Sequence, residues 1–176
     1  MVNRDKYKEL VLYICEKCDS VKLGAIKLNK VLWFSDLLAY VKWGEPITGE
    51  RYVKRQFGPA PYGILSVLEE LQGEGALTVK SLDFYGYQKT HYIPERSADL
   101  SQFSVDELSL VDGMIGFVCD SNTAVSISEL THDHIWEIAE NGEEIPHYAV
   151  FASVPGEITE ADIDWGREAY RQARAA

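Results

Sequence analysis

From Leu23 to Trp43 apolar side chains recur on nearly every face of a helical wheel: Ile26, Leu28, Val31, Leu32, Trp33, Phe34, Leu37, Leu38, Tyr40, Val41 and Trp43. A helix apolar all round predicts a central element covered by its neighbours. Gly44 and Pro46 predict its end, because proline cannot continue a helix. Upstream, Tyr7, Leu10, Val11, Ile14 and Cys18 fall at the three-and-four spacing of one face, which predicts an amphipathic helix over 4–18. Downstream, Tyr52 to Phe57 reads as an extended piece ended by Gly58-Pro59. Pro61 suits the first turn of a helix over 61–73 whose apolar stripe includes Tyr62, Leu65, Leu68 and Leu71.

Alternation of Leu77 and Val79 with Thr78 and Lys80, and of His91 and Ile93 with Thr90 and Tyr92, predicts a hairpin over 77–82 and 89–94 around an aromatic loop. Ser104 and Glu107 have capping-box spacing and open a helix to about Cys119. Within it Gly113 and Gly116 suggest the close approach of another helix. Thr123 is a cap for a short helix over 124–130, and Asp133 a cap for the helix carrying Trp136. His147 to Ala152 fits strand or helix, and Thr159 and Asp162 open a last helix to about Ala173. The sum is a mainly α protein with a small antiparallel hairpin, an α+β fold built round one buried helix over residues 1–176. The helix-then-hairpin order of 61–94 is also the outline of a winged helix.

Length and composition support one soluble core: 176 residues, 46% hydrophobic and 26% charged. No apolar run reaches a membrane span, and the charged N-terminus does not resemble a signal peptide. Three cysteines argue against a disulfide framework and for a reducing cytoplasm. The net charge of -11 is uneven. Residues 1–60 carry 11 Lys+Arg and 7 Asp+Glu, whereas 61–176 carry 6 and 21. An acidic remainder suits a solvated surface or a basic partner, and disfavours tight nucleic-acid binding. On the candidate winged-helix segment Glu69, Glu70 and Glu74 would repel phosphates.

Candidate chemistry is sparse. Cys15 and Cys18 form a C-x-x-C at the end of a predicted helix, where the dipole disfavours thiolate, so packing is the expected role. His132-Asp133-His134 invites a metal reading, but side chains two apart on a helix do not face each other, so capping and packing are expected. No nucleophile elbow, phosphate loop, H-E-x-x-H or dinucleotide fingerprint occurs. The expectation is a protein that is not an enzyme and uses neither cofactor nor metal.

Three blocks together resemble one family. Lys27-Leu28-Asn29-Lys30-Val31-Leu32-Trp33-Phe34-Ser35-Asp36 is similar to its K-L-x-K helix. Gly44-Glu45-Pro46-Ile47 followed by Phe57-Gly58-Pro59 is similar to its G-E-P and G-P segment. Ser128 to His132, Trp136 and Gly142 to Pro146 are similar to its T-H, W and G-E-x-I-P half. The family is the Panacea domain family, also called SocA-like and including phage-associated proteins, and the resemblance spans about 5–150. It implies a cytoplasmic bacterial or phage antitoxin that neutralises a protein toxin from an adjacent gene by direct contact, with a protease as a further partner if it acts as a proteolytic adaptor. A winged-helix-like DNA-binding regulator is the alternative. Where the family often has proline before tryptophan, this chain has Ile135-Trp136. Leu28, Leu32, Phe34 and Trp136 are expected in the core, and Lys27, Lys30, Trp33, Arg55, Phe57, Gly58 and Pro59 are the expected partner-binding set, with Arg51–Pro59 as a basic aromatic edge.

Overall fold

The computed structural model describes residues 2–84 and 86–153. The first helix, α1 (Arg4–Lys17), is capped by Asn3, whose side chain accepts from Lys6 N, and buries Tyr7, Leu10, Val11 and Ile14. The central helix α2 (Ala25–Trp43) stops at Gly44, whose left-handed φ of 83° only glycine adopts cheaply. Most of its Lys27–Asp36 stretch is buried between α1 and later elements, whereas Leu38, Val41 and Trp43 are exposed. The all-round apolar pattern therefore describes a helix covered along most, not all, of its length.

The chain then makes a first hairpin, β1 (Tyr52–Arg55) and β2 (Gly58–Pro61), in which Tyr52 faces Pro61 and Arg55 faces Gly58. Here the sequence reading is corrected. Gly58-Pro59 is not a turn leading into a helix but the start of a strand, and α3 (Ile64–Gly73) begins three residues later than expected. Prolines lack an N–H, so β2 has to be an edge strand. It is one, because the far side of β1 is taken by 142–145: Ile145 N donates to Tyr52 O at 2.8 Å and Lys54 N to Glu143 O at 2.8 Å. Val53 and Glu144 form an antiparallel bridge there.

A second hairpin follows α3, with β3 (Leu77–Phe84) and β4 (Tyr87–Pro94) paired so that Leu77 faces Pro94. It is longer than the alternation alone predicted, which leaves a tighter turn. Helix α4 (Val105–Ile115) opens on the full capping box, with Ser104 Oγ accepting from Glu107 N and Glu107 accepting from Ser104 N. A π-helical turn over Gly116–Asp120 extends it. A Cβ on Gly113 or Gly116 would meet nothing within 4 Å, so neither glycine serves a close helix approach. Helices α5 (Ala124–Glu129) and α6 (His134–Ile138) carry the expected Thr123 and Asp133 caps. The ambiguous stretch is a 3-10 turn, His147–Ala149, running into α7 (Val150–Ser153). The helix expected over 159–173 lies outside the described residues.

The fold is thus α+β and mainly helical, with two small antiparallel strand pairs. Its core is one cluster drawn from α1, α2, α3, the hairpins, α4, the π-helical turn and α5. Among the described residues no helix is long and apolar enough to cross a membrane.

Candidate functional site

The three sequence blocks meet where α2 packs on β2. Lys30 lies on the face of α2 turned to that strand, is 1% exposed, and donates to Pro59 O at 3.1 Å. Gly58, at a φ of 95°, leaves room for this contact: a Cβ there would overlap both Lys30 Nζ and Thr131 Oγ1. Thr131, buried at the end of α5, donates to Ser128 O at 2.8 Å. Next to it, His132 stacks on Trp136 with ring centroids 3.7 Å apart. Trp136 Nε1 donates to Arg55 O at 3.1 Å, and Lys54 Nζ lies 4.3 Å over the indole ring. The same ammonium donates to Ala139 O at 2.9 Å. The tryptophan block is thus fastened to the first hairpin by the Trp136–Arg55 hydrogen bond, by the Lys54 bonds to the carbonyls of Glu137 and Ala139, and by one cation–π contact.

Below this junction lies a polar network that periodicity did not reveal. Asp36 is fully buried and accepts from Thr48 N at 2.9 Å, from Thr48 Oγ1 at 2.5 Å and from Tyr52 Oη at 2.8 Å. Burial raises its pKa, and the bonds from Thr48 and Tyr52 pull it part of the way back. Tyr52 also packs edge-on against Trp33 at 4.9 Å and against His147 at 5.5 Å. Burial lowers the pKa of His147. A lone carboxylate within the apolar α2 pattern was the one sequence signal for the network, because a buried charge requires partners.

Of the seven residues expected to meet a partner, only Arg55 and Phe57 are exposed, and they stand at the tip of the first hairpin. The rest require a correction in placement. Lys27, Lys30, Trp33, Gly58 and Pro59 are buried. Lys27 Nζ donates to Cys119 O, at 3.1 Å, in the π-helical turn. The reason is that both lysines find backbone carbonyls inside the protein, which allows an ammonium to leave water. The basic aromatic edge narrows to Arg51, Arg55, Gln56 and Phe57, with the Arg51 guanidinium 4.7 Å from the Tyr62 ring centroid. Leu28 and Leu32 are in the core as expected, while Phe34 and Trp136 are half-buried.

The cysteines are buried free thiols. A hydrogen bond from Cys119 lowers the pKa of Cys18, whereas burial pushes the Cys15 thiol up. Asp133 Oδ1 accepts from Trp136 N at 2.9 Å as the cap of α6, and burial lowers the pKa of His132. Among the described residues no three His, Cys, Asp or Glu side chains converge as metal ligands would.

Lys30 gives a measurable pH dependence. Burial pulls its pKa down to about 7 from an ordinary value of 10.5. The unfolded chain then binds more protons than the native state between those values, so this group makes stability rise with pH there, by up to about 1.4 kcal/mol per pH unit. Its contribution is complete above 10.5 and is lost as pH falls through about 7. Lys30→Met should flatten that part of the curve. Urea midpoints of both proteins at several pH values from neutral to alkaline test this, and parallel curves would refute it.

A family model described as "Antitoxin SocA-like, Panacea domain" matches residues 28–137. That range starts within α2 and ends within α6, so it contains Lys30, the first hairpin, Thr131 and Trp136. It is shorter at both ends than the 5–150 expected from the motif blocks. Neither the curated proteins nor the solved structures gave a match. With the helix, the G-P hairpin and the T-H/W block assembled into one junction inside the matched region, the chain belongs to the SocA-like antitoxin, Panacea domain family.

Proposed function

We propose that this protein is the antitoxin of a toxin–antitoxin pair and neutralises its toxin by direct protein–protein binding. The observation that carries the reading is the family match over residues 28–137. The internal use of the sequence motifs agrees with it. Lys27, Lys30, Gly58 and Thr131 hold the fold together, which leaves the exposed surface free to meet a partner. The proposed setting is the cytoplasm of a bacterium or phage-infected cell, and the proposed role is that of a binding protein, not an enzyme. Delivery of the bound toxin to a protease is a further step within the same reading.

The DNA-binding alternative gains no support from the geometry. Helix α3 does precede the β3–β4 hairpin, but its exposed face carries Glu69 and Glu70, followed by Glu74. The nearest cations are engaged, Arg4 with Glu70 at 2.6 Å and Lys8 with Glu74 at 2.7 Å. Such a face repels a phosphate backbone.

The test is expression of the adjacent reading frame with and without this chain. The expected result is growth arrest by the neighbour alone and recovery on co-expression, with the two proteins copurifying. A neighbour that is harmless alone, or that stays toxic beside this chain, overturns the proposal.

A further inference from the structure

Between α2 and the segments on either side of α6 lies a cavity of about 200 Å³, lined by Trp33, Phe34, Leu37, Leu130, Ile135 and Val150 among others. That is below the roughly 300–1,000 Å³ of sites for drug-sized ligands, so it suits a single inserted side chain. The elements that line it also expose large apolar side chains. Leu130 is 59% exposed, Ile138 66%, Tyr148 66% and Phe151 59%. Helix α6 packs against α7, which places Ile138 and Phe151 on adjoining elements. Exposed apolar side chains gathered round a pocket mark an interaction surface.

Charge identifies what would cover it. No Lys or Arg occurs from Ser97 to Ser153, whereas Glu129, Asp133, Glu137, Glu140, Glu143 and Glu144 fall within sixteen residues. Among the described residues Glu144 has a distant ion pair with Arg51, at 3.7 Å, and Asp133 is used as a cap. Glu129, Glu137 and Glu140 have no salt-bridge partner among the described residues, and all three are exposed.

We infer that this apolar face, with the carboxylates carried on the same segments, is the docking surface for a positively charged segment of a protein partner, one apolar side chain of which enters the cavity. The inference rests on the antitoxin reading and assigns the toxin its chemistry: a basic contact segment with an apolar anchor. The face differs in charge from the neighbouring Arg55–Phe57 tip, to which α6 is joined through Trp136 and Lys54. The carboxylates steer the approach and make it salt-dependent, while the cavity and Leu130 hold the complex.

The test measures binding of the purified product of the adjacent reading frame to the full chain at low and high salt. The expected results are weaker binding at high salt and a loss of at least about tenfold in affinity for Glu137→Lys/Glu140→Lys, with thermal stability unchanged. Leu130→Ser should weaken binding at both salt concentrations, whereas Arg55→Glu should not. Carbodiimide crosslinks should run from Glu137 or Glu140 to lysines of the neighbour. Equal affinity of wild type and the double variant overturns this inference and leaves the antitoxin reading standing. No binding and no neutralisation by wild type overturns both. Crosslinks to a second copy of this chain instead, or a Leu130→Cys thiol shielded from a maleimide in the monomeric chain alone, also overturn it, because each identifies a different occupant.

Discussion

Gly58→Ala is expected to destabilise the protein by about 2–6 kcal/mol, enough to consume much of the stability of a domain this size. Two penalties combine. The backbone φ of 95° lies where an L side chain is strained, which costs on the order of 1–3 kcal/mol. In addition, the new methyl would overlap Lys30 Nζ and Thr131 Oγ1, and overpacking a tight site costs typically about 1–3 kcal/mol. The lysine end is flexible, but Thr131 is buried and bonded to Ser128 O, so it cannot withdraw freely. Removing the hydroxyl in Gly58→Ala/Thr131→Ala should return part of the steric loss and none of the backbone strain. Urea unfolding of wild type and the two variants provides the measurement. A Gly58→Ala midpoint equal to that of wild type would show that the strand start is not as tightly held as described.

Asp36→Ala should lower stability at neutral pH by about 2–4 kcal/mol, because it strands three buried donors at about 1–3 kcal/mol each, less the relief of a buried charge. Those donors are Thr48 N, Thr48 Oγ1 and Tyr52 Oη, and they tie α2 to the segment entering β1. The pH dependence has a definite sign. Burial raises the Asp36 pKa above its ordinary 3.8, so the native state keeps this proton when the unfolded chain has lost it. The contribution of Asp36 is therefore complete below the unfolded value and declines as pH rises through the native one. The gap between wild type and Asp36→Ala should widen on acidification from neutral. A gap that narrows on acidification would contradict the placement of this carboxylate. Asp36→Asn keeps the shape but turns an amide donor toward one of the three donors, and should fall between the two.

Both residues stood within the sequence motifs, yet their roles came from different sources. Motif positions are readily taken for contact residues when the side chain is a lysine or a tryptophan. In this protein the specific residue types at Lys30, Gly58 and Trp136 are explained by one another: an ammonium against Pro59 O, a glycine that admits it, and an indole anchoring the hairpin backbone. Those constraints leave the side chains of the hairpin tip and of the face around α6 exposed, and the proposed docking surface uses the second of these.

The sequence by itself determined the elements whose causes are local. The capping boxes at Ser104 and Thr123, the Asp133 cap, the glycine stop at Gly44 and the alternation of Leu77 and Val79 each act within a few residues, and each sits where the pattern placed it. Tertiary structure decided the rest. A Gly-Pro-Ala-Pro stretch has no intrinsic strand preference and few donors, and it becomes β2 only because β1 pairs with it and α2 covers it. Likewise, whether a lysine on an apolar helix reaches water or a carbonyl depends on what packs against it. For Lys27 and Lys30 the acceptors come from Cys119 and Pro59, 92 and 29 residues away along the chain, a distance over which periodicity carries no information.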